Sequence, residues 1–146
     1  MPLKDVKQAL VDVLEAAEVG STESTPPTLY RGPMPAGAPD ACVSVVELSD
    51  PGEDEELLGG AGRMRLVHEL TVQVRGPRNV FLAAEAKAVA AWDACWENTP
   101  EGYVWVRPTG KPVHLGPDDM GRALFSFTVR VEYRATTEPG SVTPDS

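Results

Sequence analysis

Cysteine and histidine are scarce in this sequence, with two of each among 146 residues. A metal centre usually draws three or four ligands from Cys, His and carboxylates, and no CxxC, HxxxH or HExxH spacing occurs. Cys42 and Cys95 stand far apart inside apolar runs, where a small buried thiol is the usual occupant. Both are expected to be free, in a reducing compartment. No apolar run approaches the roughly 20 residues that span a bilayer. The N-terminal pattern is amphipathic rather than a basic stretch before an apolar signal core, so a soluble, unsecreted protein with no membrane partner is expected. Base is in deficit: 13 Lys+Arg face 22 Asp+Glu, a formal charge of -9. Sequence-independent grip on nucleic acid needs clustered Lys and Arg to neutralise phosphates, so that class is disfavoured. Nucleophile-elbow glycines around a serine are missing too. The glycines of residues 59–62 run into a strand pattern rather than a helix N-terminus, which excludes a phosphate cradle. No cofactor is implied.

What is present suits an ordinary core, since 42% of residues are hydrophobic and a chain of this size buries roughly two-thirds of its unfolded surface. Leu3, Val6, Leu10, Val13, Leu14 and Ala17 recur at spacings of three and four, predicting an amphipathic helix over residues 2–18. Five prolines make residues 21–40 a loop, with a short strand at 28–31. The β-branched run 41–48 reads as a strand. Residues 49–62 hold Asp50, Glu53, Asp54, Glu55 and Glu56 without a base, and an exposed mobile loop is expected there.

Residues 63–75 alternate, with Met64, Leu66, His68, Leu70, Val72 and Val74 on one side, a long half-buried strand. Gly76 and Pro77 break it. Asn79 is the candidate cap of a second helix reaching residue 98, in which Phe81, Ala84, Ala88, Trp92, Cys95 and Trp96 can share one face and the tryptophans mark its buried end. Short strands follow at 103–107 and 113–115. Residues 122–134 alternate again, with Ala123, Phe125, Phe127, Val129, Val131 and Tyr133 inward. The last strands connect too closely for parallel crossovers. The result is an α+β two-layer sandwich, a mostly antiparallel sheet with two helices on one face. Residues 1–135 form one domain, and 136–146 form a disordered tail.

Catalytic constellations are sparse. His68 falls on the apolar side of its strand, where a hydrogen-bonded core histidine is expected. His114 with Asp118 and Asp119 is the best cluster for a metal or acid/base site, set against a turn whose aspartates bond their own backbone.

Several segments in order resemble the tail terminator (tail completion, minor capsid or minor tail) proteins of long-tailed bacteriophages. They are the N-terminal helix; Leu29-Tyr30-Arg31-Gly32-Pro33-Met34-Pro35 and then Asp40 to Glu47; Val72-Gln73-Val74-Arg75-Gly76; the Ala-rich second helix; and Leu115 to Arg122 leading into Phe125-Ser126-Phe127. The likeness spans about residues 3–134 and excludes the acidic insert and the tail. It implies a non-enzymatic virion protein, assembled in the host cytoplasm, that forms a ring of six at the head-proximal end of the tail tube. Such a ring ends tube polymerisation and joins tail to neck. The implied partners are further copies of the chain, the tail tube protein and a neck or head-closure protein, while genomic DNA passes through without specific binding.

On that reading Arg63, Arg65, Arg75, Arg122, Arg130 and Arg134 are candidates for intersubunit pairing, against a solvated sheet face. Tyr30, Arg31, Met34, Asp50, Glu53, Asp54, Glu55 and Glu56 are candidates for contacts between rings. Another neck or head-closure connector is the alternative, followed by a small metal-dependent α+β enzyme using His114, Asp118 and Asp119, and a monomeric binding module. Acid concentrates in the front half and in residues 50–56, whereas residues 63–134 carry more base than acid. That polarity suits head-to-tail contacts between copies.

Overall fold

A computed structural model describes residues 5–47, 52–56, 63–138 and 141–144. Its centre is a pair of long antiparallel strands, β4 (Arg63–Arg78) and β7 (Arg122–Glu138). At 16 residues, β4 spans about 50 Å at the usual rise per residue. The edge of β4 away from β7 carries two strands in line: β2 (Cys42–Glu47) along Leu70 to Arg75, and β3 (Gly52–Glu56) along Arg63 to Val67. The far edge of β7 carries three more, β6 (Val113–Pro117), β5 (Trp105–Pro108) and β8 (Ser141–Pro144). Only β1 (Leu29–Arg31) pairs in parallel, on β2. The α+β sandwich expected from the sequence is the architecture found.

Helix α1 (Val6–Ala16) buries Val6, Leu10, Val11 and Leu14, and Asp5 caps it by accepting from the Gln8 backbone N–H at 3.1 Å. Helix α2 (Phe81–Glu97) lies beside it, and both cover one face of the sheet. The inward residues of β4 and β7, among them Leu66, Leu70, Val72, Val74, Phe127, Val129 and Tyr133, complete a single core. The period of two in each strand places every second side chain there. Gly76 lets the helix layer sit close, because a Cβ at that position would lie 2.3 Å from the Ala84 Cβ.

Four expectations are corrected. Asn79 is not a cap: its backbone, at φ 58, makes the turn between β4 and α2 and donates to the Gly121 carbonyl at 2.9 Å, and Val80 takes the cap position with no side-chain bond. The tryptophans do not mark a buried end. Small residues Ala84, Ala88, Ala91 and Ala94 with Cys95 form the buried stripe, Trp92 is half-buried, and Phe81 and Trp96 are exposed. Close helix–sheet approach at Gly76 favours small residues inside, so the bulky ones are displaced outward. The acidic segment, expected to be a loop throughout, contains β3, whose register sets Asp54 opposite Arg65 and Glu56 opposite Arg63. Cross-strand opposite charge outweighs the weak strand propensity of acids. Asp50, the rest of residues 48–51 and residues 57–62 lie outside the described residues. The last strand also runs past residue 134, and β8 folds back on it within the expected tail, giving the far edge of β7 a backbone partner.

Candidate functional site

Chemistry-bearing side chains are mostly committed to one another. Asp40 forms ion pairs with Arg122 at 3.0 Å and Arg78 at 3.1 Å, and Arg122 reaches Asp118 at 2.7 Å. The Asp118 carboxylate also accepts the backbone N–H groups of Met120 and Arg122, each at 3.0 Å. The Arg122 amide holds the Asp118 carboxyl below the ordinary carboxylate value, opposed by burial and aided by the Met120 amide and the Arg122 guanidinium. This network ties the proline-rich loop to the ends of β4 and β7. Asp118 therefore serves the turn before β7, as one reading of its sequence allowed. His114 is exposed and packs with Phe81 and Phe125 at centroid distances of 4.9 and 5.0 Å. Among the described residues no group of three or more His, Cys, Asp or Glu could hold a metal ion.

His68 is buried and lies 3.2 Å from a Glu47 carboxylate oxygen and 3.3 Å from the Tyr133 hydroxyl. It is the hydrogen-bonded core histidine its strand position suggests. Burial pushes the Cys95 thiol up to about 12 and raises the Cys42 thiol as well, partly offset by nearby Arg75. Both cysteines are free and buried, so neither presents a thiolate nucleophile.

The candidate intersubunit arginines divide. Arg75 donates to the carbonyls of Asp40 and Pro39, both at 2.9 Å, and Arg122 belongs to the network above; both are engaged inside the chain. Arg65 lies 3.5 Å from the buried Glu132, and Arg130 lies 3.9 Å from Glu69. Arg63 stands opposite Glu56 and Thr136, and Arg134 opposite Arg65 in the ladder. Arg63, Arg65, Arg130 and Arg134 thus share the register of the sheet face away from the helices.

The candidate inter-ring residues are scattered. Arg31 pairs with Asp5 across to the start of α1, which raises the guanidinium and lowers the carboxyl. The Tyr30 hydroxyl donates to the Pro27 carbonyl at 2.6 Å, and Met34 is half-buried. Glu53, Asp54, Glu55 and Glu56 sit in β3, at the opposite edge of β4 from β7.

One surface escapes the sequence reading. A groove of about 640 Å³ runs along the outer side of α2, lined by Leu82, Glu85, Val89, Trp92, Asp93 and Lys111 among others. Trp92 fixes its floor: the indole N–H donates to the Gly110 carbonyl at 2.6 Å, and its ring stacks on Trp96 at 5.8 Å and 4°. The available signal was that α2 is apolar on two faces, carrying Leu82, Val89 and Trp96 as well as its alanine stripe.

No family model and no curated protein matches the chain. Among solved structures, the fold is similar to that of a chain from the "Virion of native gene transfer agent (GTA) particle", with a TM-score of 0.58 at 16% sequence identity. The match covers 86% of this chain and 92% of that one, so the two share one architecture almost end to end.

Proposed function

We propose that the chain is a structural component of a phage-like virion. It forms a ring, six copies in the family it resembles, at the head-proximal end of the tail tube. There it ends tube polymerisation, joins the tail to the neck and lets genomic DNA pass without specific contact. The observation that carries this reading is the near end-to-end likeness to a virion chain, with a TM-score of 0.58; the order of phage tail-terminator-like segments in the sequence points the same way.

The physics is compatible. A closed ring joins unlike patches of neighbouring copies, and a sheet built on two strands of 16 and 17 residues is a stiff wall element. The edge strand β6 exposes Val113 and Leu115, apolar surface available to a neighbour. A net charge of -9 disfavours adhesion to a polyanion moving past.

The test is removal of the gene from a particle-producing host, followed by electron microscopy. Tails of irregular, extended length without heads are expected. Headed particles with tails of normal length would refute the assignment.

A further inference from the structure

Helix α2 buries one face under the sheet and leaves a second apolar line uncovered. Leu82, Val89 and Trp96 stand seven residues apart, so they lie one above another along about 21 Å of helix. Leu82 is 73% exposed and Trp96 54% exposed. A single exposed Leu needs no explanation, whereas a contiguous line beside a groove marks a contact surface. The groove walls are already fixed by the Trp92 bond to the Gly110 carbonyl and by the stacked indoles, which lowers the ordering cost for an occupant. Its charge is acidic: Glu85 and Asp93 line it against one cation, Lys111.

We propose, resting on the virion reading, that this groove receives a basic amphipathic helix of another protein of the particle. The seven-residue line suits an apolar helix stripe laid alongside it, and Glu85 and Asp93 call for Lys or Arg on the flanks of that stripe. Pairing with α2 of a second copy is disfavoured by the same charges. An antiparallel pair centred on Val89 sets Glu85 of one copy opposite Asp93 of the other, twice, with like charge. The occupant therefore differs in sign from the helix it covers.

The probe is a synthetic amphipathic helix of about 15 residues, matched to that 21 Å line, with Leu on its apolar stripe and Lys on both flanks. Its control carries Glu in place of Lys. Binding to the full chain at physiological salt is read from Trp92 and Trp96 emission. The Lys peptide should bind at least tenfold more tightly than the Glu peptide, and Glu85→Lys with Asp93→Lys should reverse that order. Leu82→Glu, at an exposed site whose folding circular dichroism checks, should weaken the Lys peptide at least tenfold. Equal binding of the two peptides, or an order unchanged by the double reversal, would overturn the proposal. So would self-association of the chain that Leu82→Glu abolishes, because a second copy would then be the occupant. Particles that form normally without the chain would instead refute the virion reading and leave the peptide result standing.

Discussion

Replacing Gly76 by alanine tests whether the distance between the two layers is set where β4 passes under α2. The added Cβ would lie 2.3 Å from the Ala84 Cβ and 2.9 Å from its Cα. Carbon atoms in contact prefer about 3.5–4.0 Å, so the helix would have to lift by more than an ångström. It cannot lift freely, because Ala84, Ala88 and Ala91 are all fully buried along its length. Overpacking of this kind costs about 1–3 kcal/mol, and contact with backbone favours the upper end. With a urea dependence of about 1–3 kcal/mol per molar, the unfolding midpoint should fall by roughly 1 M. The partner variant Ala84→Gly loses about 1 kcal/mol of helix propensity on its own. Combined with Gly76→Ala it removes the obstructing Cβ, so the double variant should be more stable than the two single losses added, by about 1 kcal/mol or more. A Gly76→Ala midpoint within 0.2 M of the parent, or strict additivity in the cycle, would refute the close-approach argument. The groove on α2 would move with the helix, so the same variant should also weaken the Lys peptide.

Two further outcomes follow from the titrating groups. Because burial raises both thiols, Cys95 to about 12, neither should react with a disulfide reagent at pH 8 in the folded chain, and both should react on unfolding; fast modification of either native thiol contradicts the structure. Asp118 is held below its ordinary value of 3.8 when folded, so the unfolded chain binds its proton first. The stabilisation is then present above about pH 4 and lost as pH falls through the folded value. Asp118→Asn should flatten the acid-side fall of the urea midpoint below pH 4, and an unchanged slope would contradict the role given to the Arg122 amide.

Much of the fold was legible because its central elements obey a single period. The alternation in β4 and β7, and the three-and-four spacing of α1, each send one face inward. What was not legible depended on partners distant in sequence. Glu53 to Glu56 look unable to pack until the ladder sets arginines opposite two of them, and the tail looks structureless until β7 offers an edge. Trp92 and Trp96 read as core because hydrophobicity alone does not say which of two apolar faces wins. Gly76 decides it, by admitting alanines and nothing larger. The candidate arginines were legible as a set, but not the split between Arg75 and Arg122, bonded to the loop around Asp40, and the four on the open sheet face.

That split changes the expected behaviour of a ring. An acidic front half and a more basic sheet region suggest copies joined by charge and loosened by salt. Within one chain, however, Arg122 and Arg78 are paired with Asp40, Arg65 with Glu132, and Arg31 with Asp5. Cations already paired within a copy have less to give a neighbour, and an exposed pair is worth about 0–1 kcal/mol. The edge strand β6 instead exposes Val113 at 58% and Leu115 at 55%. Covering apolar surface contributes about 25 cal/mol per Å² and is insensitive to screening. Raising the ionic strength from about 0.1 to 1 M shortens the screening length from roughly 10 to 3 Å. A ring joined through β6 should keep its sedimentation coefficient across that range, while Val113→Glu with Leu115→Glu should release monomers. Dissociation by salt alone, with the double variant still assembled, would return the joint to the arginines of the sheet face.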